Sequence, residues 1–378
     1  MSPSVRHPAS TRILGKWLRA EWFLAVSVAT IFAFLMWGDA LQDLLSRPIW
    51  LTAIFLWLFA VTLGSALSVV RHADHVAIRL GEPYGTMLLT GSVTAIEVMS
   101  ISAVMLHGEN NPTLVRDTLF AVIMIILNGM VGLALLLGGW RYREQIYNLQ
   151  GANAYLGVII PLAVLSLIMP NYTQTTPGPT LSSAQLVFLG TIAVGLYGAF
   201  LAIQASRHRG YFTLDGESAT LHTADATRPP LLLHVMLLAA YLIPVVFLAE
   251  QLAKPIDFLL ETLHAPAAIG GVVMAILVAT PEAIGAVRAA MANHLQRSVN
   301  IFLGSVLSTI GLTIPAMIVV SLVSGRAMTL GLQYSDPVML ILTLAVSIVT
   351  FASGRTNVLQ GVVHLVLFAA YVMLLVEN

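Results

Sequence analysis

Two glutamates stand where acids are costly. Glu97 ends the stretch GSVTAIE and Glu282 ends ILVATPE, and both stretches are otherwise apolar or small. A carboxylate inside a membrane helix costs at least ~3 kcal/mol on insertion scales, so such groups face the protein interior and mark ion or proton pathways. Pro281 directly precedes Glu282. It has no N–H to give the Leu277 carbonyl, which predicts a helix locally opened beside the carboxylate. Carboxylate, freed carbonyls and the Thr280 hydroxyl make an oxygen-lined cation site, and Thr94, three residues before Glu97, is a candidate ligand beside the other acid. Two carboxylates close together in low dielectric cannot both stay ionised without a partner, so each takes a proton or shares a cation. That competition is the chemistry of antiport. A hard divalent ion such as Ca²⁺ takes about 6–8 oxygens, within reach of two glutamates, neighbouring carbonyls and hydroxyls from adjoining helices. Glu97 and Glu282 are therefore the expected metal ligands. The metal is cargo, and no cofactor is called for.

The elements that must position these acids follow from composition. The chain has 378 residues, 58% hydrophobic and 10% charged, with mean hydropathy +0.87. Soluble domains carry about 25% charged residues, so this is a polytopic, all-α membrane protein. There is no cysteine, which excludes disulfides, thiolate metal sites and cysteine nucleophiles. At about 20 apolar residues per span, eleven helices are predicted, over 21–38, 49–70, 82–106, 115–139, 153–170, 182–205, 231–250, 262–290, 298–323, 336–352 and 357–376. The basic tail (Arg6, Arg12, Lys16, Arg19) precedes a run, Trp22 to Trp37, with no small-residue cleavage site after it, hence a retained helix. With the N-terminus in the cytoplasm, only Arg47, Arg116, Lys254 and Arg326 fall on the far side, leaving 14 of the 18 Lys and Arg on the cytoplasmic side. This predicts a bacterial inner-membrane protein with a cytoplasmic N-terminus and a periplasmic C-terminus.

Residues 1–48 form the tail and first helix, 49–206 one five-helix repeat, 207–230 a cytoplasmic linker and 231–378 a second repeat. Five is odd, so the repeats must be inverted across the membrane, a common transporter plan. Glu97 and Val93 match Glu282 and Val278 at an offset of 185. In the next helix of each half, Asp117 and Asn128 match Ser298 and Thr309 at an offset of 181, each pair eleven residues or three turns apart and so on one face. Ser305, Ser308 and Thr313 extend that stripe, which supports the glutamates or serves as interhelical hydrogen bonding. Asp117 is either a pathway residue or one half of a surface ion pair with Arg116. Glu82, in GEPYG, is either a helix N-terminal acid stabilised by the dipole or a proton entry point. His72 and Asp74 are expected in a cytoplasmic loop, with gating as the alternative. His364 is expected to be a satisfied buried histidine.

Several longer stretches, VVRHADHVAIRLGEPYGT (69–86), TAIEV (94–98), PTLVRDTLFAVIMI (112–125), residues 279–315 from ATPEAIGAV to LTIP, and GRTNVLQGVVHLVLFAAY (354–371), resemble the cation/proton exchanger branch of the calcium:cation antiporter superfamily. Within it they look like the bacterial ChaA-type calcium (sodium/potassium)/proton antiporters. The resemblance implies eleven helices, a detached first helix, two inverted five-helix repeats, and one essential acid per repeat, mapped onto Glu97 and Glu282. It also implies export of a cytoplasmic cation driven by inward proton flow. Such exchangers often carry asparagine three residues before each glutamate, where this chain has Thr94 and Ala279. Many relatives also have a strongly acidic loop between the halves, and 207–230 is mixed in charge. The expected function is Ca²⁺/H⁺ antiport. The alternatives are Na⁺(K⁺)/H⁺ antiport on the same fold and, from another class, a cation channel. No HExxH, GxSxG or P-loop supports an enzyme. The expected partners are membrane lipid, the transported cation and protons, with no nucleic acid and no signal for oligomeric state.

Overall fold

A computed structural model describes residues 21–80, 84–107, 111–206, 208–212, 230–262, 266 and 268–377. Glu82, the basic tail and most of the 207–230 linker lie outside the described residues. Eleven helices follow in order: α1 (Trp22–Asp43), α2 (Pro48–Leu80), α3 (Tyr84–His107), α4 (Leu114–Tyr142), α5 (Leu149–Tyr172), α6 (Ser183–Ala205), α7 (Leu231–Thr262), α8 (Ala268–Met291), α9 (Leu295–Ser324), α10 (Asp336–Thr350) and α11 (Val358–Glu377). Among the described residues, nine are long and apolar enough to cross a membrane, while the apolar part of α1 and all of α10 are shorter. Each of the eleven predicted spans corresponds to one of these helices.

One helix stands before two groups of five. α3 and α8 are both 24 residues long, and α8 begins and ends 184 residues after α3. α2 and α7 match in length at 33 and 32 residues. α4 and α9 each change from α to π winding partway along, over Ile125–Met130 and Thr309–Thr313. Being odd in number, the helices of each group cross the membrane in senses opposite to those of the other. The groups interlock, with α2 along α7, α8 against α4 and α9, and α11 against α4. A short antiparallel pair, β1 (Gln145–Ile146) with β2 (Arg355–Thr356), ties the α4–α5 loop to the α10–α11 loop. Gln145 reinforces it by donating to the Ala290 carbonyl at 2.8 Å.

Two expectations about the backbone are corrected. Helices three and eight are not locally broken: α8 is continuous through Pro281. The proline removes one hydrogen bond, that of the Leu277 carbonyl, and the helix continues on either side of it. Irregular winding occurs in α4, α5 and α9 instead. In α9 the π segment is followed by Pro315, and in α5 a π segment over Val164–Ile168 is followed by Pro170. The second correction concerns α2, which runs to Leu80, so His72 and Asp74 are helical and not in a loop. Its 33 residues reach about 50 Å at 1.5 Å each, well past the ~30 Å of hydrocarbon at which hydropathy counting stops.

Close approach between helices depends on small residues, as expected where lipid supplies no hydrophobic drive. A Cβ on Gly361 of α11 would lie 2.5 Å from the Leu136 nitrogen and 2.9 Å from the Gly132 oxygen of α4. One on Gly271 of α8 would lie 2.6 Å from the Asp117 carbonyl carbon. Both obstacles are backbone and cannot yield. Gly361→Ala is accordingly expected to cost about 1–3 kcal/mol as overpacking, lowering the unfolding midpoint in detergent. Gly198→Ala, facing open space on α6, should leave that midpoint unchanged or raise it slightly through helix propensity.

Candidate functional site

Glu97 is the fourteenth of 24 residues in α3 and Glu282 the fifteenth of 24 in α8, so both acids sit near mid-depth. Their common partner is α9. Glu97 is 1% exposed, and one of its oxygens, Oε2, accepts from Thr309 Oγ1 at 3.0 Å and from Thr313 Oγ1 at 2.9 Å. The half-buried Glu282 accepts from Ser305 Oγ through Oε2. Ser305, Thr309 and Thr313 recur every four residues and form one stripe. The two carboxylates therefore engage adjacent turns of a single face, within Coulombic range of each other.

The interior beside Glu97 keeps polar capacity in reserve. Glu97 Oε1, Thr94 Oγ1 and Ser100 Oγ are buried with no hydrogen-bond partner. Buried oxygens are almost always paired, so a run of unpaired ones along α3 marks a place where something else supplies the charge or the proton. Among the described residues no group of three or more His, Asp or Glu gathers into a metal cluster. Any cation held here takes its oxygens from two carboxylates, hydroxyls and backbone carbonyls.

The π segment accounts for the presentation of Thr309 and Thr313. Pro315 cannot give a hydrogen bond to the Gly311 carbonyl, and Gly311 accommodates Tyr197 of α6, whose Cβ would be 2.9 Å from an added Cβ. Tyr197 also lies within Coulombic range of Glu282. Sequence reasoning missed Tyr197 and Ser100. The Gly311–Pro315 spacing and the hydroxyl three residues after Glu97 are the signals that pointed to them.

The remaining candidates divide. Thr94 stands on α3 beside Glu97, whereas the Thr280 hydroxyl donates back to the Ile276 carbonyl at 2.5 Å. Ser308 likewise donates to the Ser305 carbonyl at 2.9 Å. Ser298 is buried at the other end of the stripe with its hydroxyl unpaired. Asn128 does not join the glutamates: it donates to Thr343 Oγ1 at 2.8 Å and faces His364 at 3.4 Å, inside α4, α10 and α11. It sits within the π turn, which rotates it off the face that three α turns would predict. Asp117 is an ion-pair partner of Arg116 at 2.8 Å and accepts from Thr113 at 2.8 Å, but the pair is buried and not on the surface. Asp74 approaches Arg297 at 3.8 Å, both half exposed. His72 is buried in a separate cluster with Glu21 and His234. His364 is indeed a satisfied buried histidine, 2.9 Å from Thr350 Oγ1.

Comparison with known proteins is consistent across sequence and fold. The profile of the family described as sodium/calcium exchanger protein matches residues 50–206 and 233–376. A protein of Sinorhizobium fredii (strain NBRC 101917 / NGR234) named putative ionic transporter y4hA is 45% identical over 313 residues, 82% of this chain and 85% of its own length. The sodium-potassium/proton antiporter ChaA of Escherichia coli (strain K12) is 38% identical over 357 residues, 93% of this chain and 95% of its own. Among solved structures, native YfkE superposes with a TM-score of 0.70 at 20% identity, covering 92% of this chain and 100% of that one. The H⁺/Ca²⁺ exchanger CAX gives 0.66 at 12%, covering 94% and 88%. At those identities the solved structures bear on the fold alone. With the profile spanning both groups of five helices and a close relative aligned along nearly the whole chain, the protein belongs to the sodium/calcium exchanger family.

Proposed function

We propose that this protein is a secondary active antiporter of the ChaA type that exports a cytoplasmic cation in exchange for protons, with Glu97 and Glu282 binding cation and proton in alternation. The observation that carries this is the single hydroxyl stripe of α9 serving both acids, next to the unpaired oxygens of Thr94, Glu97 and Ser100. Unloaded, two ionised carboxylates at mid-depth repel each other in low dielectric. Loaded with a cation or with protons, the site is neutral enough to cross the exchange cycle. Empty and doubly charged, it is not, and this asymmetry enforces exchange over leak.

Ca²⁺ is the cargo read from the two carboxylates, which suit a hard divalent ion. A second reading, Na⁺ or K⁺, is favoured by Thr94 and Ala279, which offer no amide oxygen, and by the name of the E. coli relative. The two stretches matched by the family profile support repeats over 49–206 and 231–378. The 14-to-4 split of basic residues supports a cytoplasmic N-terminus and a periplasmic C-terminus in the bacterial inner membrane.

In proteoliposomes with an imposed ΔpH, added cation should collapse the gradient in the parent protein, and Glu97→Gln and Glu282→Gln should each abolish the response. Collapse by Ca²⁺ identifies a divalent substrate, and collapse by Na⁺ or K⁺ alone assigns the second reading. Mutants that match the parent would sink the two-glutamate site.

A subtler change tests the stripe. Thr309→Val removes one of two donors to the Glu97 carboxylate, an interaction of about 1.5 kcal/mol. The cation concentration for half-maximal exchange should rise about tenfold, with the protein still folded. An unchanged value would mean that the hydroxyl is structural only.

A further inference from the structure

A second buried polar cluster lies apart from the glutamates, where Glu21 precedes α1, α2 nears its end and α7 begins. His72 of α2 and His234 of α7 are each 2% exposed, with their Nδ1 atoms 3.0 Å apart. On its other edge, His72 Nε2 lies 3.4 Å from Glu21 Oε2 and 3.5 Å from an Arg71 nitrogen. Glu21 also accepts from Arg71 at 2.6 Å and from the Tyr241 hydroxyl of α7 at 2.9 Å. His75 stacks on His234 with ring centroids 4.8 Å apart, and Arg79 acts on His234 from the same helix. From α3 and α8, which also pack on α2 and α7, no charged side chain acts on the two rings among the described residues.

Two facing Nδ1 atoms at 3.0 Å have room for one hydrogen between them. With both rings neutral, one donates and the other accepts. With one proton added, the cationic ring donates to its neutral partner, and His72 turns its Nε2–H toward Glu21. Both of those states keep the contact. With two protons added, N–H faces N–H, surrounded by Arg71, Arg79 and His75, and the contact cannot persist. We infer that His72 and His234 form a proton-binding latch between α2 and α7, closed with at most one added proton and opened by a second.

The position of the latch gives it a consequence. Ala66, Val69, Ile96, Tyr241 and Val245 form a small apolar core separate from the main one, contributed by α2, α3 and α7. The Tyr241 ring stacks on His72 at 5.8 Å, and Ile96 immediately precedes Glu97. Opening the latch loosens the seat of Ile96 and so the placement of the Glu97 carboxylate. The latch is then an acid brake on exchange. The brake, though not the latch, rests on the exchanger reading.

The absence of cysteine allows a clean spin-label pair at Ile78 on α2 and Leu232 on α7, exposed by 40% and 68%. In nanodiscs, the interlabel distance should lengthen on the acid side, as the second imidazole of the pair takes up its proton. In His234→Gln it should stay at its short value, because glutamine keeps a hydrogen bond but cannot take the proton. A constant distance in the parent, or the same acid shift in both His72→Gln and His234→Gln, overturns the latch. Were His234→Gln not to fold, the labelled parent alone would decide. In liposomes, the parent should lose exchange several-fold on the acid side, and His234→Gln should lack that limb. A protein that shows the distance shift but moves no cation would overturn the exchange function and leave the latch standing.

Discussion

A carboxylate in a dry interior must be met by donors, a proton or a cation, and in this fold one helix meets that demand for both halves of the molecule. α9 presents Ser305, Thr309 and Thr313 along one line, and each glutamate is held from it. The stripe works because the helix changes winding at Thr309, where Gly311 and Pro315 weaken regular α bonding and Tyr197 fills the space beside Gly311. Much of the remaining architecture serves to bring α3 and α8 to this line. Each acid lies just past the middle of its helix, so both stand near mid-depth. Gly271 lets α8 close onto α4 with backbone nearly touching backbone. The β1–β2 pair and Gln145 fix the ends of the surrounding helices across the two groups.

Inverted repeats do not guarantee a symmetric site, and here they do not produce one. Asn128 occupies the place in α4 that Thr309 occupies in α9, and both lie in π segments. Yet Asn128 hydrogen-bonds to Thr343 and His364 in a closed polar network, while Thr309 serves Glu97. The same asymmetry appears around the acids themselves. Three residues to either side of Glu97 are Thr94 and Ser100, whereas the corresponding neighbours of Glu282 are Ala279 and Gly285. Spare oxygens therefore collect on the α3 side, and the half-buried Glu282 is the more accessible acid. On the proposed exchange reading, a cation meets Glu282 first and completes its shell against α3.

The helix count, the two acids and the α9 stripe were legible in the sequence because each depends on local chemistry. A charge interrupting an apolar run stands out, and hydroxyls four residues apart share a face wherever winding is regular. The misplaced features share a different cause. Asn128 was placed by counting α turns across a segment that is π. Pro281 was read as a break, although α8 is continuous through it. His72 was assigned to a loop because hydropathy reports the lipid boundary, not the end of a helix that continues into water. Its partners, Glu21 and His234, are 51 and 162 residues away in sequence, and only the folded chain brings them together.

Alternating access requires a boundary across which contacts can be exchanged without emptying a core. Packed interiors are bistable and resist continuous deformation, so motion concentrates where one packed unit ends and another begins. Most buried apolar residues here, including those of α4, α5, α8 and α9, belong to one contiguous cluster. A small cluster of Ala66, Val69, Ile96, Tyr241 and Val245 is separate from it, on the same helices α2, α3 and α7 that place Leu58, Ile101 and Leu252 in the large one. Glu97 lies on the seam: Ile96, before it, packs into the small core, while its carboxylate is bound by α9, whose residues pack in the large one. Displacement of α3 relative to α9 must break or remake the Thr309 and Thr313 hydrogen bonds to Glu97. Those bonds can be given up only when a proton or a cation takes over the charge they stabilise. On the proposed exchange reading, the chemistry at Glu97 and the change of access are in this way one event.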